Sequence, residues 1–161
     1  GDDPQHSVLA MRMVNAIVFV ALLSVALTVL APAIRSAVAV TTAVVLVPLG
    51  LFIIPSTNPS SWTVTGVVFV WAFGLALAQR TSWRSQRTWL LAVATCLSAF
   101  LAIGSRVDAS AFVALAVIVV FVLTGWTKAR ASWISFVVLL VLATIGLFST
   151  LFVMLQILFV F

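Results

Sequence analysis

Long apolar runs separated by brief polar interruptions dominate the chain, and the length of each run is its most informative property. Runs of roughly 16 to 20 residues are what a helix rising about 1.5 Å per residue needs to cross a hydrocarbon core ~30 Å thick. Backbone N–H and C=O groups meet no water in lipid, so such runs must pair them internally as helices. The pattern therefore predicts an all-α fold, a polytopic transmembrane helix bundle forming a single transmembrane domain over residues 1–161. The predicted spans cover about 13–31, 36–54, 62–79, 88–103, 109–126 and 133–161, with a break in the last near "GLFST" (146–150). That amounts to five to six or more crossings, joined by connections short enough to make consecutive helices antiparallel neighbours.

Single residues modulate this pattern. Pro48 removes a backbone donor within the second span, which predicts a kink near its end. The fourth span, "TWLLAVATCLSAFLAI", is short and rich in small residues that let neighbouring helices approach closely, which places it at the centre of the bundle. Cys96, the single cysteine, lies inside it and reads as a small packing residue, unable to form an internal disulfide or a metal site alone. Trp62, Trp83, Trp89, Trp126 and Trp133 fall at or just beyond span ends, where indole rings anchor helices at headgroup level.

Composition reinforces the class: 65% hydrophobic residues, 7% charged residues and no tyrosine exclude a water-soluble globule. Charge then orients the bundle. Arg35, Arg80, Arg84, Arg87, Lys128 and Arg130, six of the eight basic residues, fall in one set of alternating connections. By the positive-inside bias that set is cytoplasmic, so the Gly1 side is extracytoplasmic, in a bacterial plasma membrane. The net charge of +5 sits in short turns facing anionic membrane lipids, and it does not indicate a nucleic-acid partner. The chain begins with Gly1 outside, without a preceding span to export it, and ends on apolar residues; both features predict an internal fragment of a larger membrane protein.

The opposite set of connections holds "GDDPQHS", "PSTNPSS" and "GSRVDAS", which contain all three acidic residues, the only histidine, and Arg106. In "PSTNPSSW", Pro55 ends one helix, Asn58-Pro59 turns the chain, and Ser60 or Ser61 is expected to cap the next helix. The same hydroxyls and amide at a helix N-terminus also suit a phosphate or a sugar. Proline after Asn58 rules out a glycosylation acceptor there. Arg106 and Asp108 fit either a solvated ion pair or a pair in which arginine holds a lipid phosphate and aspartate orients a hydroxyl or acts as a base. Arg12 and Asn15 enter the first turns of the first span. Asp2, Asp3 and His6 show no recognised metal-ligand spacing, and no metal site is expected. The chain carries no Gly-rich phosphate loop, nucleophile elbow or zinc signature, so the motifs identify no cofactor.

Three stretches in order, "MRMVNAI", "PLGLFIIPSTNPSSW" and "AIGSRVDASAF", resemble the bacterial, chiefly actinobacterial, family of polytopic membrane proteins known as domain of unknown function 2142. The resemblance covers about residues 9–126. That family is similar in layout to the GT-C membrane glycosyltransferases, which transfer a sugar from a polyprenyl-phosphate lipid on the extracytoplasmic side. The resemblance implies that the outer turns border a cavity for such a sugar donor. It also implies that the acidic catalytic residue, which in GT-C enzymes follows the first span, precedes Gly1. Asp2 and Asp3 do not correspond to it by position.

The expected function is thus a GT-C-like glycosyltransferase using a polyprenyl-phosphate-linked sugar in cell-envelope polysaccharide or glycolipid assembly. Arg106, with Arg12, would neutralise the donor phosphate, and Asn58, Ser60 and Asp108 would bind hydroxyls. The alternative is a non-enzymatic scaffold or accessory subunit of an envelope complex, with membrane protein partners. A transporter is disfavoured because the spans hold almost no ionisable groups to line a pathway.

Overall fold

The computed structural model describes residues 4–80, 82, 84–106, 108–125 and 133–160. In chain order these form α1 (Pro4–Val29), α2 (Pro32–Val45), a π-helical turn (Leu46–Gly50), α3 (Leu51–Ile53), α4 (Ser60–Ala78), α5 (Gln86–Ser105), α6 (Ala109–Thr124) and α7 (Trp133–Val160). Among the described residues, four stretches are long and apolar enough to cross a membrane: Gln5–Val29, Ser60–Ala78, Gln86–Ser105 and Ser135–Phe152. The α2 and α6 helices are shorter but also apolar. An all-α bundle is what the hydropathy pattern demands, because helices satisfy the backbone within each apolar run.

Local chemistry explains the helix ends. Pro32 occupies the first turn of α2, where its missing N–H costs nothing and its fixed φ suits the helix. The perturbation expected at Pro48 takes the form of the π-helical turn, after which α3 continues directly. The α1 helix starts at Pro4, well before the predicted span at 13, because hydropathy marks where a helix enters lipid and not where it begins. The break predicted at 146–150 is absent: α7 runs through it, and the Thr150 hydroxyl donates to the Gly146 carbonyl at 2.7 Å.

The centre of the bundle is α4, not the predicted fourth span. The α4 helix packs against α1, α2, α5, α6 and α7 and is the most buried of the candidate spans. One face meets Leu22 and Ala26 of α1, Leu30 just beyond its end, and Leu91 of α5 through Phe69, Phe73 and Leu77. Val70, on another face, joins Val113, Val117 and Val120 of α6 and Leu139 of α7. Beyond Thr65, α4 is apolar all round and has no face to offer water or headgroups there.

Small residues on the fourth span do allow close approach, as expected from its composition. Gly66 of α4 lies so near α5 that a Cβ there would fall 2.5 Å from the Ser98 carbonyl oxygen and 2.8 Å from Ala102 Cβ. Gly146 of α7 meets α6 in the same way, at Ser110 and Ala114. Lipid tails are as apolar as leucine, so such contacts hold membrane helices together by dispersion and not by a hydrophobic driving force. Cys96 takes no part in this packing: it lies on the exposed face of α5 with Leu97 and Phe100, which corrects its reading as a packing residue. The buried stripe is carried instead by Ala92, Thr95, Ala99 and Ala102.

Candidate functional site

The two ends of the bundle differ in chemistry, and the division follows the alternation of the connections. At one end lie Arg35, whose Nη2 donates to the Leu30 carbonyl at 3.0 Å, Arg80 and Arg84 between α4 and α5, and Arg87 at the start of α5. The start of α7 reaches the end of α4 there, where the Ser135 hydroxyl donates to the Leu77 carbonyl at 2.8 Å. Lys128 and Arg130, predicted for this end, lie outside the described residues, as do Asp2, Asp3, Trp83 and Trp126. At the other end the α3–α4 and α5–α6 turns meet each other and the first half of α1.

The α3–α4 turn is built by its own side chains. Pro55 stops the helix, the Asn58 N–H donates to Ser56 Oγ at 3.0 Å, and Asn58 Oδ1 accepts from the Ser60 N–H at 3.0 Å. The expectation that Ser60 or Ser61 caps α4 is therefore corrected: neither side chain accepts from the helix, and Asn58 satisfies its first N–H. Ser61 is buried and turns its hydroxyl back to the Ile54 carbonyl, because a buried O–H without a partner carries a desolvation cost. This leaves the Ser60 hydroxyl at the surface of the turn.

From the α5–α6 turn, 46 residues further on, Arg106 reaches Ser60: Nη1 donates to Ser60 Oγ at 3.2 Å. The same guanidinium grips Asp108 with two parallel bonds, Nε to Oδ1 at 2.8 Å and Nη2 to Oδ2 at 2.9 Å. Just beneath, the Thr63 and Ser105 hydroxyls lie 2.8 Å apart and tie α4 to α5. The Arg106 hydrogen bond lowers the Asp108 carboxyl below the usual carboxylate range, assisted by the guanidinium charge and local N–H groups and opposed by partial burial. Arg106 is raised in turn, first by that hydrogen bond and then by the aspartate charge. A carboxylate held below its ordinary range is a weaker base, so Asp108 suits an orienting or hydrogen-bonding role better than proton abstraction.

The opposite side of the α3–α4 turn is held by a residue that the sequence reading left without a role. Asn15 of α1 is almost fully buried; its Nδ2 donates to the Ser56 carbonyl at 2.6 Å and its Oδ1 accepts from Trp62 Nε1 at 2.7 Å. Trp62 is thus more than an interfacial anchor. An amide inside an apolar run is itself the signal that could have revealed this, since polar side chains at membrane depth need a partner. Two adjoining cavities flank the turn. One, of ≈ 250 Å³, lies between Met11, Asn15, Trp62 and Ser105. The other, of ≈ 390 Å³, lies between Arg12 and Leu51, Phe52 and Pro55; both reach Thr57 and Asn58.

Of the five residues singled out from the sequence, Ser60, Arg106 and Asp108 form one hydrogen-bonded group. Asn58 supports it through the Ser60 backbone, while Arg12 borders the cavity on the far side of Asn58. Among the described residues, no group of three or more His, Cys, Asp or Glu side chains comes together.

The family model described as "Predicted membrane protein (DUF2142)" matches residues 1–161, the whole chain. The chain belongs to this family. No curated protein and no solved structure matches it. For this DUF2142 chain the multi-pass helical architecture and the family description agree, and the chemistry must be read from the site itself.

Proposed function

We propose that this DUF2142-family chain forms part of a glycosyltransferase-like membrane protein that takes a sugar from a polyprenyl-phosphate carrier. The reaction would occur on the extracytoplasmic side of a bacterial plasma membrane, in assembly of envelope polysaccharide or glycolipid. The observation that carries this reading is the gathering of Ser60, Arg106 and Asp108 from two distant turns at the end opposite the arginine-rich one. Hydroxyl, guanidinium and carboxylate together supply the donors and acceptors that sugar hydroxyls require, and an arginine at that end supplies the charge a phosphate requires. The resemblance drawn from the sequence, which implies outer turns bordering a cavity for such a donor, supports the same reading. The reading assigns no catalytic base within this chain.

The test is transfer by the intact protein in vesicles, followed as release of polyprenyl phosphate from polyprenyl-phosphate sugars. Turnover with at least one donor is expected. A folded, vesicle-inserted protein inert toward hexose and pentose donors alike would favour the scaffold or accessory subunit instead.

Orientation has its own test. In a Cys96→Ser background, Asn58→Cys is expected to react with a membrane-impermeant maleimide added outside intact cells. Arg84→Cys is expected to react only after permeabilisation. The reverse pattern would put the polar turns in the cytoplasm and remove the proposed donor side.

A further inference from the structure

Two arginines stand at the polar-turn end, and their surroundings differ in a way that decides which one an anion can use. Arg106 is already engaged: the Nε/Nη2 edge that would grip a phosphate holds both Asp108 oxygens, and Nη1 is bonded to Ser60. An incoming phosphate would have to displace a carboxylate of the same charge from a bidentate bond and then share the space with it. Arg12 is exposed and makes no ion pair among the described residues. Among the described residues, an anion reaching it has no bound carboxylate to displace.

The cavity beside Arg12 has two chemically distinct walls. On one side are Thr57, a hydroxyl, and Asn58, whose Oδ1 faces the Ser60 N–H and whose –NH₂ carries two further donors. Those groups match the acceptor-only oxygens of a phosphate. On the other side Leu51 and Phe52 are widely exposed, Phe52 to 84%. Both residues belong to the last helical turn before the polar loop, so the apolar wall runs from the cavity toward the membrane interior. A cation with amide and hydroxyl donors at the head of an apolar wall fits an amphiphile, a phosphate joined to a hydrocarbon, and fits neither half alone.

We infer that the cavity formed by Arg12, Thr57 and Asn58 with Leu51 and Phe52 binds the phosphate of a lipid. Its hydrocarbon lies along Leu51 and Phe52, and Arg106 is not the phosphate ligand. The inference rests on the reading above only for the identity of the hydrocarbon, since phospholipids and polyprenyl phosphates share the chemistry that the cavity recognises. Under that reading it also fixes the polarity of the bound donor. The phosphate lies at Arg12, and the sugar is directed across Asn58 toward Ser60, Arg106 and Asp108.

Retention of added lipid by the detergent-purified full chain, measured by native mass spectrometry, tests this. The probes are polyprenyl monophosphate, the corresponding polyprenol, phosphatidic acid and inorganic phosphate. Wild-type protein is expected to retain the polyprenyl phosphate, and Arg12→Gln to retain it about tenfold less, the scale of one charge-assisted hydrogen bond. Arg106→Gln is expected to retain it as the wild type does. Both side chains are exposed, so the variants should fold, and unchanged melting behaviour verifies it. Equal retention by Arg12→Gln, or a loss on Arg106→Gln as large as on Arg12→Gln, would overturn the assignment. So would polyprenol retained as well as its phosphate, or inorganic phosphate competing as strongly as either lipid. Preference for polyprenyl phosphate over phosphatidic acid supports the site as a donor site, and equal competition supports it as a general lipid-phosphate site. Arg12-dependent retention in a protein without transferase activity would uphold the inference while the transferase reading fails.

Discussion

Gly66→Leu is expected to separate α4 from α5 and to cost about 3 kcal/mol of stability or more, the upper range of overpacking effects. The reason is the identity of the atoms in the way. A Cβ at Gly66 would lie 2.5 Å from the Ser98 carbonyl oxygen and 2.7 Å from the Ala102 backbone nitrogen. Neither can swing aside as the end of a flexible side chain can, so the helices themselves must move. Because α4 also packs against α1, α2, α6 and α7, the displacement spreads through both halves of the core. Gly104 provides the control: nothing lies within 4 Å of its Cβ position, and Gly104→Ala is expected to be nearly neutral. Thermal unfolding in detergent, with gel filtration to detect aggregation, compares the two. A Gly66→Leu protein as stable and monodisperse as Gly104→Ala would contradict this close α4–α5 contact.

Arg106→Ala is expected to reduce sugar transfer about a hundredfold, the scale associated with misplaced reacting groups. The loss would come from geometry and not from donor binding. Without the guanidinium, Asp108 loses two hydrogen bonds and Ser60 loses one, so the acceptor and donor groups proposed to orient hydroxyls are no longer held to each other. Arg106→Lys should recover little, because a single ammonium cannot span two carboxylate oxygens and a hydroxyl as the planar fork does. The pair is half-exposed, so these variants are expected to remain folded. Turnover measured at saturating donor, alongside retained polyprenyl phosphate, checks the effect. Wild-type turnover in folded Arg106→Ala would remove the Ser60, Arg106 and Asp108 group from the site.

Much of the site's location was legible in the chain, but its wiring was not. Alternation of the connections places Asn58, Ser60, Arg106 and Asp108 at one end, and the structure brings them together there. Which serine faces outward depends on burial: Ser61 turns inward to the Ile54 carbonyl, and Asn58 takes over the cap that serine was expected to make. The difference between the two arginines was likewise hidden. Both lie at the same end, and only the position of Asp108 against the Arg106 fork shows that one is engaged.

The length and composition of the apolar runs, by themselves, determined that this is a multi-pass helical membrane protein, because lipid leaves the backbone few ways to satisfy its hydrogen bonds. Charge alternation sorted its turns into two chemically different ends. What only the tertiary structure decided is lateral order and contact: α4 at the centre, Cys96 outward, Asn15 bonded to Ser56 and Trp62, and Gly66 set against Ser98 and Ala102. Hydropathy is nearly uniform around a helix immersed in lipid, so it reports depth but not direction. Direction is decided by the fit of neighbouring surfaces and the pairing of a few polar groups, which depend on residues far apart in the chain.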